Sequence, residues 1–276
     1  MKEKNKKKFL NKIIKRAVVI MITIVLIFIL IFLFNNIYGN LLSQKAFENS
    51  VIAFSQNNKE TVFSINKIVF FSSCDSKNKT SSTTNFTIEN LYTYTDIAIF
   101  INNNSEENTL ENTLKSVKIT NVKISEEPTM GTANLYFKSI NNFAKSEFAE
   151  ENLIENELEF GVTSETEADL EKPILYNNCA NPITLSYINQ NIKTDYTMTD
   201  TENPIVYNGK LLERCNIELE KIQASISFDV EIENNKNQKF RTTIYFDIPY
   251  ETESESIYNG SIIVKKDTNF NFYRYE

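Results

Sequence analysis

The sequence predicts a mainly β protein, an antiparallel two-sheet β-sandwich ectodomain on a single N-terminal transmembrane helix. A charge-free apolar run, AVVIMITIVLIFILIFLF, follows a basic start and predicts the helix. Strict alternation of apolar and polar residues near the C-terminus predicts half-buried antiparallel strands. About a dozen short strand-like stretches without crossover helices favour a sandwich over a parallel sheet. With 276 residues, 41% of them hydrophobic, the chain can form one large domain or two small ones.

The first two predicted segments are residues 1–16 and 17–37. The first sixteen residues carry eight basic groups and one acid, Glu3. Residues 17–34 carry no charge, and eighteen helical residues at about 1.5 Å each span about 27 Å, close to the thickness of a hydrocarbon core. We therefore expect a transmembrane helix over 17–37 that contacts the lipid bilayer. Since basic residues stay on the cytoplasmic side, 1–16 should be a cytoplasmic stub, and the C-terminal domain should lie outside the cell membrane.

A cleaved signal peptide is the alternative to this anchor. The apolar core of a signal peptide usually has about 7–15 residues and ends in a small-x-small cleavage site. Here the apolar core is longer, and Ile37-Tyr38-Gly39 is a poor cleavage site. We therefore expect a single-pass anchor that is not cleaved. A juxtamembrane stalk should follow over 38–60, where the apolar residues have a loosely helical spacing.

Residues 61–276 form the predicted extracytoplasmic β-sandwich domain, and its clearest element is a hairpin. Residues 222–233 and 242–248 alternate apolar and polar side chains, and a short polar loop separates them. Period two means one buried face and one solvated face, as in an antiparallel sheet. We therefore expect Phe228 to face the core and its neighbour Asp229 to face solvent.

The remaining elements have weaker patterns. We expect further strands near residues 62–71, 86–88, 91–101, 116–124, 134–138, 158–163, 183–189, 193–198, 262–265 and 270–275. Residues 143–155 alone look helical, and Asn208-Gly209 and Asn259-Gly260 are candidates for tight hairpin turns. The acidic residues 164–172 are either a linker that splits the domain into two halves or a surface loop, and a single domain is slightly favoured.

The residue types restrict the chemistry that the chain can perform. The lack of histidine excludes Ser-His-Asp and Cys-His catalysis and every His-ligated metal site. Cys74, Cys179 and Cys215 have no CxxC spacing, so we expect no zinc or redox motif and no cofactor. Cys179 and Cys215 are a candidate disulfide, and free cysteines that pack as small apolar residues are the alternative. Cys74 is left over in either case.

Carboxylates are the other candidates for chemistry. A pair of them could serve a glycoside hydrolase, but no sequence motif marks such a pair, and a solvated acidic surface is favoured. The acids considered are Glu147, Glu150, Glu151, Glu155, Glu157, Glu159, Glu165, Glu167, Asp169 and Glu171. Asp195, Asp200 and Glu202 could contribute to a calcium site, although the EF-hand pattern is absent. We therefore expect no catalytic, cofactor-binding or metal-binding residue.

Two pairs of tyrosines have a spacing that places both members on one face of a strand. These pairs are Tyr92 with Tyr94 and Tyr273 with Tyr275. Aromatic side chains at such positions usually pack across a sheet. Packing is therefore favoured over an exposed tyrosine strip that binds sugar or protein.

The charge of the predicted exported part argues against nucleic acid as a partner. Beyond residue 16 the chain has 21 basic and 35 acidic residues, whereas phosphate binding needs a basic face. The first functional hypothesis is a non-enzymatic, membrane-anchored binding or structural module of the cell envelope, with an envelope protein or a wall polymer as partner. The alternative is a carboxylate-dependent hydrolase of envelope glycans, which would need two carboxyl groups about 5–10 Å apart in one cleft.

Overall fold

The computed structural model describes residues 2–56, 61–79, 86–198 and 205–276, which belong to two compact units, Met1–Asn57 and Asn58–Glu276. The first unit is the helix α1 (Lys2–Gln56). Within it, Ile14–Phe34 has a mean hydropathy of 3.5, and all its side chains are exposed. This stretch is long and apolar enough to act as a membrane anchor or a signal sequence. The predicted stub, membrane segment and stalk are parts of one continuous helix as far as Gln56, and residues 57–60 lie outside the described residues.

The described part of the second unit contains eleven strands and several short helices. The strands are β1 (Phe63–Ser76), β2 (Phe86–Asn103), β3 (Leu114–Glu126), β4 (Thr132–Phe137), β5 (Leu158–Thr163), β6 (Ile174–Tyr176), β7 (Ile183–Met198), β8 (Ser225–Asn234), β9 (Lys239–Asp247), β10 (Ile262–Asn271) and β11 (Tyr273–Arg274). The helices are α2 (Lys210–Arg214), α3 (Leu219–Ile222) and the 3-10 turns Ile140–Asn142, Glu150–Asn152 and Ile257–Asn259.

The strands form two sheets that enclose one core. The first sheet has the order β10-β1-β2-β7-β4 and the second has the order β11-β9-β8-β3-β5-β6. Neighbouring strands are antiparallel except for β5 and β6, which are parallel. Phe70 of β1 and Phe228 of β8 both pack against Phe246 of β9, with ring centroids 4.9 and 6.0 Å from that ring. The predicted two-sheet β-sandwich with one N-terminal helix is therefore confirmed.

The predicted hairpin is present as β8 and β9. Phe228 pairs with Ile244, and it is 1% exposed, so it faces the core as expected. Asp229 lies on the opposite face, where its carboxylate accepts a hydrogen bond of 2.6 Å from the hydroxyl of Thr243. The strand begins later than the sequence predicts, because Ile222 is the last residue of α3 and β8 starts only after it.

Other strand boundaries differ where the pairing of two strands is irregular. The sequence predicts β2 and β7 as two shorter strands each, but both are continuous. The predicted breaks, at residues 89–90 and 190–192, lie where the pairing of β2 with β7 shifts register. The three-residue strand β6 is missing from the prediction. Residues 164–172 connect β5 to β6 within the second sheet.

The predicted helix over 143–155 is wrong. This stretch has irregular backbone and one short 3-10 turn. Its apolar residues Phe143, Phe148 and Leu153 recur every five residues, a spacing that does not keep them on one face of a helix. In addition, Ala144 has a φ of 62°, which lies in the left-handed region and is incompatible with a right-handed helix.

The two Asn-Gly pairs do not form tight hairpin turns. Gly209 precedes the first residue of α2, and Gly260 follows a 3-10 turn. A Cβ on Gly209 would lie 2.1 Å from the carbonyl oxygens of both Ile257 and Gly260. Glycine is therefore needed here because two backbone segments approach closely, and this contact packs α2 onto the turn that leads into β10.

Candidate functional site

An open groove of about 580 Å³ lies between the edges of the two sheets. One wall comes from β9, and the other comes from β10, the edge strand of the first sheet. The buried residues Ile248 and Tyr250, just after β9, also line it. We call it the edge groove and define it by Glu126, Glu220, Tyr245, Asp247, Glu251 and Lys266.

The topology leaves the two strand edges unpaired along the groove. Among the described strands, β10 pairs only with β1, and β11 pairs with β9 only at Phe240 and Arg241. A single residue, the buried Phe272, separates β10 from β11, so the chain joins the two sheets at that end. Beyond Arg241, β9 has no further described strand on this side, and the edge groove occupies the opening.

Two carboxylates of the edge groove share one hydroxyl group. Ser225 on β8 donates to Oδ1 of Asp247 on β9 at 2.6 Å, and its Oγ lies 3.4 Å from Oε2 of Glu126 at the end of β3. The hydroxyl of Tyr245 lies 3.4 Å from the same oxygen of Asp247. A serine hydroxyl has only one hydrogen, so Ser225 donates it in the shorter bond, to Asp247. Three distant segments bring this carboxyl pair together, so no local motif marked Glu126 or Asp247 in the sequence.

The edge groove is acidic and open to solvent. Glu126, Glu220, Asp247 and Glu251 face one lysine, Lys266, among its lining residues. All four carboxylates belong to exposed residues. Tyr245 of β9, which lies beside them, is 54% exposed. Charge, an exposed ring and free backbone edges are therefore available to a ligand at the same place.

The ten acids between Glu147 and Glu171 lie elsewhere. All of them are exposed, and none lines the edge groove. Glu147 and Glu171 instead border a smaller depression beside the start of the β4–β5 connection. The carboxyl pair in the groove therefore comes from outside the clusters that the sequence emphasises.

The residues of the candidate calcium site are not seen together. Asp195 lies on β7 and is exposed, while Asp200 and Glu202 lie outside the described residues. Within residues that the structure describes, no group of three or more acidic or cysteine side chains is arranged to hold a metal ion.

The cysteines are free thiols, so the candidate disulfide between Cys179 and Cys215 is not formed. Cys215 follows α2, which contacts the strand of Cys74. Burial raises the pKa of Cys74, and the nearby thiol of Cys215 raises it further. Burial also raises the pKa of Cys179 to about 11. Cys74 is buried and Cys179 and Cys215 are half-buried, and burial raises the pKa of each thiol. Thiols with raised pKa values are poor nucleophiles, so these cysteines pack as small apolar residues.

A second polar cluster lies on the outer face of the first sheet beneath residues 138–153, which we call the covering segment. Asp96 of β2 and Lys138 have side chains that are 0% and 2% exposed, and Nζ of Lys138 donates to both carboxylate oxygens at 2.9 and 3.1 Å. The hydroxyl of Ser186 and the amide of Ala144 donate to the same carboxylate at 2.7 and 2.6 Å. Burial raises the pKa of Asp96 and lowers that of Lys138, while the attraction between the two charges and the hydrogen bonds between them oppose both shifts.

Aromatic side chains surround this ion pair. The rings of Tyr92 and Tyr94 are 6.4 Å apart, and Phe148 of the covering segment lies 5.9 Å from Tyr92 and 5.2 Å from Tyr136. The ammonium of Lys138 lies 4.9 Å from the ring centroid of Tyr94. Burial raises the pKa values of Tyr92 and Tyr94 to about 12. This tyrosine pair therefore packs against its neighbours, as the sequence favours.

The second tyrosine pair lies on the outer side of the second sheet. Tyr273 and Tyr275 are 43% and 36% exposed. The hydroxyl of Tyr275 donates to Glu231 at 2.9 Å, and its ring centroid lies 4.4 Å from the guanidinium of Arg241. Tyr275 thus packs across the sheet onto the ion pair of Arg241 and Glu231. The tyrosine of the edge groove is a different one, Tyr245.

The two polar clusters differ in what they can do. The cluster beneath the covering segment is enclosed and its charges are paired within the molecule, so these charges are not available to a ligand from solvent. The edge groove offers exposed carboxylates, a ring and unpaired strand edges, so it can bind a ligand from solvent. A comparison with family models, curated proteins and solved structures finds no match to this chain, and the functional assignment therefore depends on these residues.

Proposed function

We propose that this chain is a non-enzymatic binding module of the cell envelope, anchored in the cell membrane and exposed outside it. The observation that carries the proposal is the edge groove, in which exposed side chains and unpaired strand edges lie together. The basic residues before the apolar run support an N-terminus in the cytoplasm and a sandwich domain outside. A sandwich that presents a sheet edge to solvent is suited to hold an envelope protein or a wall polymer.

Hydrolysis of envelope glycans is the second candidate, because Glu126 and Asp247 share the hydroxyl of Ser225 and so lie close together. Glycosidases use two neighbouring carboxyl groups, one of which must be held in its acid form by an apolar or desolvated environment. Both residues are exposed in an open groove, which favours binding over acid catalysis.

Photo-crosslinking of the full chain in its own membrane tests the binding function. A benzophenone amino acid in place of Tyr245 should form crosslinks to an envelope protein or wall polymer. The matched control is the same substitution at Tyr273, an exposed tyrosine outside the groove, which should give none of these products. Equal crosslinking from both positions, or none from Tyr245, would contradict the proposal.

Turnover measurements separate binding from hydrolysis. The full chain in detergent should release no soluble fragments from purified wall glycans. Release that disappears in both Glu126→Gln and Asp247→Asn, but persists in Glu165→Gln, would establish the hydrolase instead. Glu165 is a suitable control because it is exposed and lies outside the groove.

A further inference from the structure

From the edge groove we infer that its ligand is an extended peptide segment with basic side chains, which adds as a strand to the free edge of β9. The inference rests on the proposed binding function and names the class of partner. Strand addition supplies main-chain hydrogen bonds, while every second side chain of the added strand contacts the pockets beside the edge and gives specificity.

The backbone of β9 is oriented for such pairing. In an antiparallel strand the N–H and C=O of successive residues point alternately to the two sides. The carbonyl of Lys239 accepts a hydrogen bond of 3.0 Å from the chain after β11, so the odd-numbered residues point outward. The amide of Ile248 donates at 2.9 Å to the residue before β8, so the even-numbered residues point inward. The outward residues beside the groove are Thr243, Tyr245 and Asp247.

These outward groups have no strand partner among the described residues. The ladder of β9 with β8 occupies its inward side, and β11 reaches only Phe240 and Arg241. A row of unpaired N–H and C=O groups at a sheet edge is a template for another strand. Water satisfies these groups in the free protein, so a peptide gains from them only when it brings further contacts.

Charge selects a basic segment. Glu126, Glu220, Asp247 and Glu251 line the groove against one lysine, Lys266. Side chains of an added strand alternate between its two faces, so lysine or arginine at every second position can approach several of these carboxylates. Opposite charges across an interface increase the association rate and exclude acidic competitors.

The other edge of the groove is protected against strand addition. Lys266 of β10 is opposite the buried Ile68 of β1, so its side chain points toward the space between the sheets. Its ammonium lies 5.4 Å from the ring centroid of Phe70. An inward-pointing lysine on an edge strand is a known way to prevent unselective pairing, and it also repels a basic peptide. The peptide therefore adds to β9.

Fluorescence anisotropy with the full chain in nanodiscs tests this inference. The probe is a labelled octapeptide of alternating lysine and threonine, and the competitors are the glutamate–threonine octapeptide and a lysine–threonine octapeptide with alternate backbone N-methyl groups. We expect binding of the lysine peptide only. Asp247→Asn and Glu220→Gln should each weaken binding about fivefold at low salt, and Glu165→Gln should leave it unchanged.

A pair of substitutions at one position tests the backbone. Tyr245→Pro removes an outward N–H without removing a bond to β8, and edge strands tolerate proline at such a position. It should weaken binding about fivefold relative to Tyr245→Ala, which keeps the N–H. Circular dichroism melts show whether both variants fold; if the proline variant does not, the N-methylated peptide is the deciding measurement, and its equal binding would overturn the inference.

The outcomes separate this inference from the proposed function. Equal binding of the glutamate peptide, or equal affinities of folded Tyr245→Pro and Tyr245→Ala, would overturn strand addition by a basic peptide. If crosslinking from Tyr245 still captures an envelope protein or wall polymer, the binding function stands with another class of ligand. If crosslinking also fails, both proposals fall.

Discussion

Charged side chains beneath the covering segment are buried and paired, whereas those of the edge groove in the same sandwich are exposed to solvent. Beneath the covering segment, Asp96 and Lys138 are removed from water, and their polar atoms bond to each other and to neighbouring groups. In the edge groove, carboxylates such as Asp247 stay in solvent and strand edges stay unpaired. Burying a charge is costly unless it is paired and hydrogen-bonded, and the partners of Asp96 and Lys138 within the fold offset that cost. The second region keeps its interactions available for another molecule.

The largest effect should come from breaking the buried ion pair. Lys138→Met leaves the carboxylate of Asp96 buried without its main partner and should cost about 3–5 kcal/mol of unfolding free energy. Denaturant melts of the full chain measure this cost. Adding Asp96→Leu should recover part of the loss, because no unpaired charge then remains buried.

An exposed ion pair is the control for that experiment. Lys115 and Glu233 are 2.5 Å apart, and their side chains are 48% and 20% exposed. Lys115→Met should cost less than about 1 kcal/mol, since solvent screens such pairs. Similar losses for Lys115→Met and Lys138→Met would mean that the covering segment does not enclose its ion pair.

Truncating a core side chain beneath β9 should lower the unfolding free energy by a comparable amount. This part of the core supports β9, which forms one wall of the edge groove. Phe228 is 1% exposed and packs against Phe246. Phe228→Ala should therefore cost about 3–5 kcal/mol. Asp229→Asn should be nearly silent, because its amide oxygen can still accept the hydrogen bond from Thr243 and only the solvent-exposed bond from Asn121 is lost. Thermal melts compare the two variants, and equal melting temperatures would show that the register of β8 is wrong.

A smaller effect is expected from loosening the covering segment alone. Phe148 is partly buried and contacts Tyr92 and Tyr136. Phe148→Ala should cost about 2 kcal/mol, less than a fully buried phenylalanine, and should increase the exposure of the tyrosines. Tyrosine fluorescence quenching by acrylamide follows that exposure. Unchanged quenching in a destabilised variant would contradict the role of Phe148 as a cover.

The smallest effect on stability should come from the edge groove itself. Tyr245 is 54% exposed, so Tyr245→Ala should change the unfolding free energy by less than about 0.5 kcal/mol. The same variant should bind the lysine–threonine peptide more weakly than the parent chain but still measurably, because it keeps the outward N–H of residue 245. A strong destabilisation by Tyr245→Ala would show that this side chain supports the fold, and would remove the distinction between the two regions.

Strand positions are predicted correctly from the sequence where each strand has one buried face and one solvent-exposed face. β8 and β9 alternate along their length, and the placements of Phe228 and Asp229 follow directly. The prediction fails where strand pairing is irregular and where the chain lacks regular structure. The breaks predicted in β2 and β7 lie where their pairing shifts register. The helix predicted over 143–155 relied on Phe143, Phe148 and Leu153, whose five-residue spacing does not fit one face of a helix.

The edge groove could not be predicted from local patterns. Glu126, Ser225 and Asp247 come from the ends of three different strands and meet only when the sheet has formed. The same holds for Gly209. Its Asn-Gly pair is typical of a tight turn, but glycine is needed there because the backbone of Ile257 lies so close. Topology, rather than residue spacing, decides both.

Amide hydrogen exchange, resolved residue by residue in the full chain, tests the contrast between the two regions most directly. The amide of Ala144 lies in irregular backbone but donates to the buried carboxylate of Asp96 at 2.6 Å, whereas the amide of Tyr245 lies in a strand but points to solvent. We expect Tyr245 to exchange at least about a hundredfold faster than Ala144. Slow exchange at Tyr245 together with fast exchange at Ala144 would contradict both the closed covering segment and the open edge of β9.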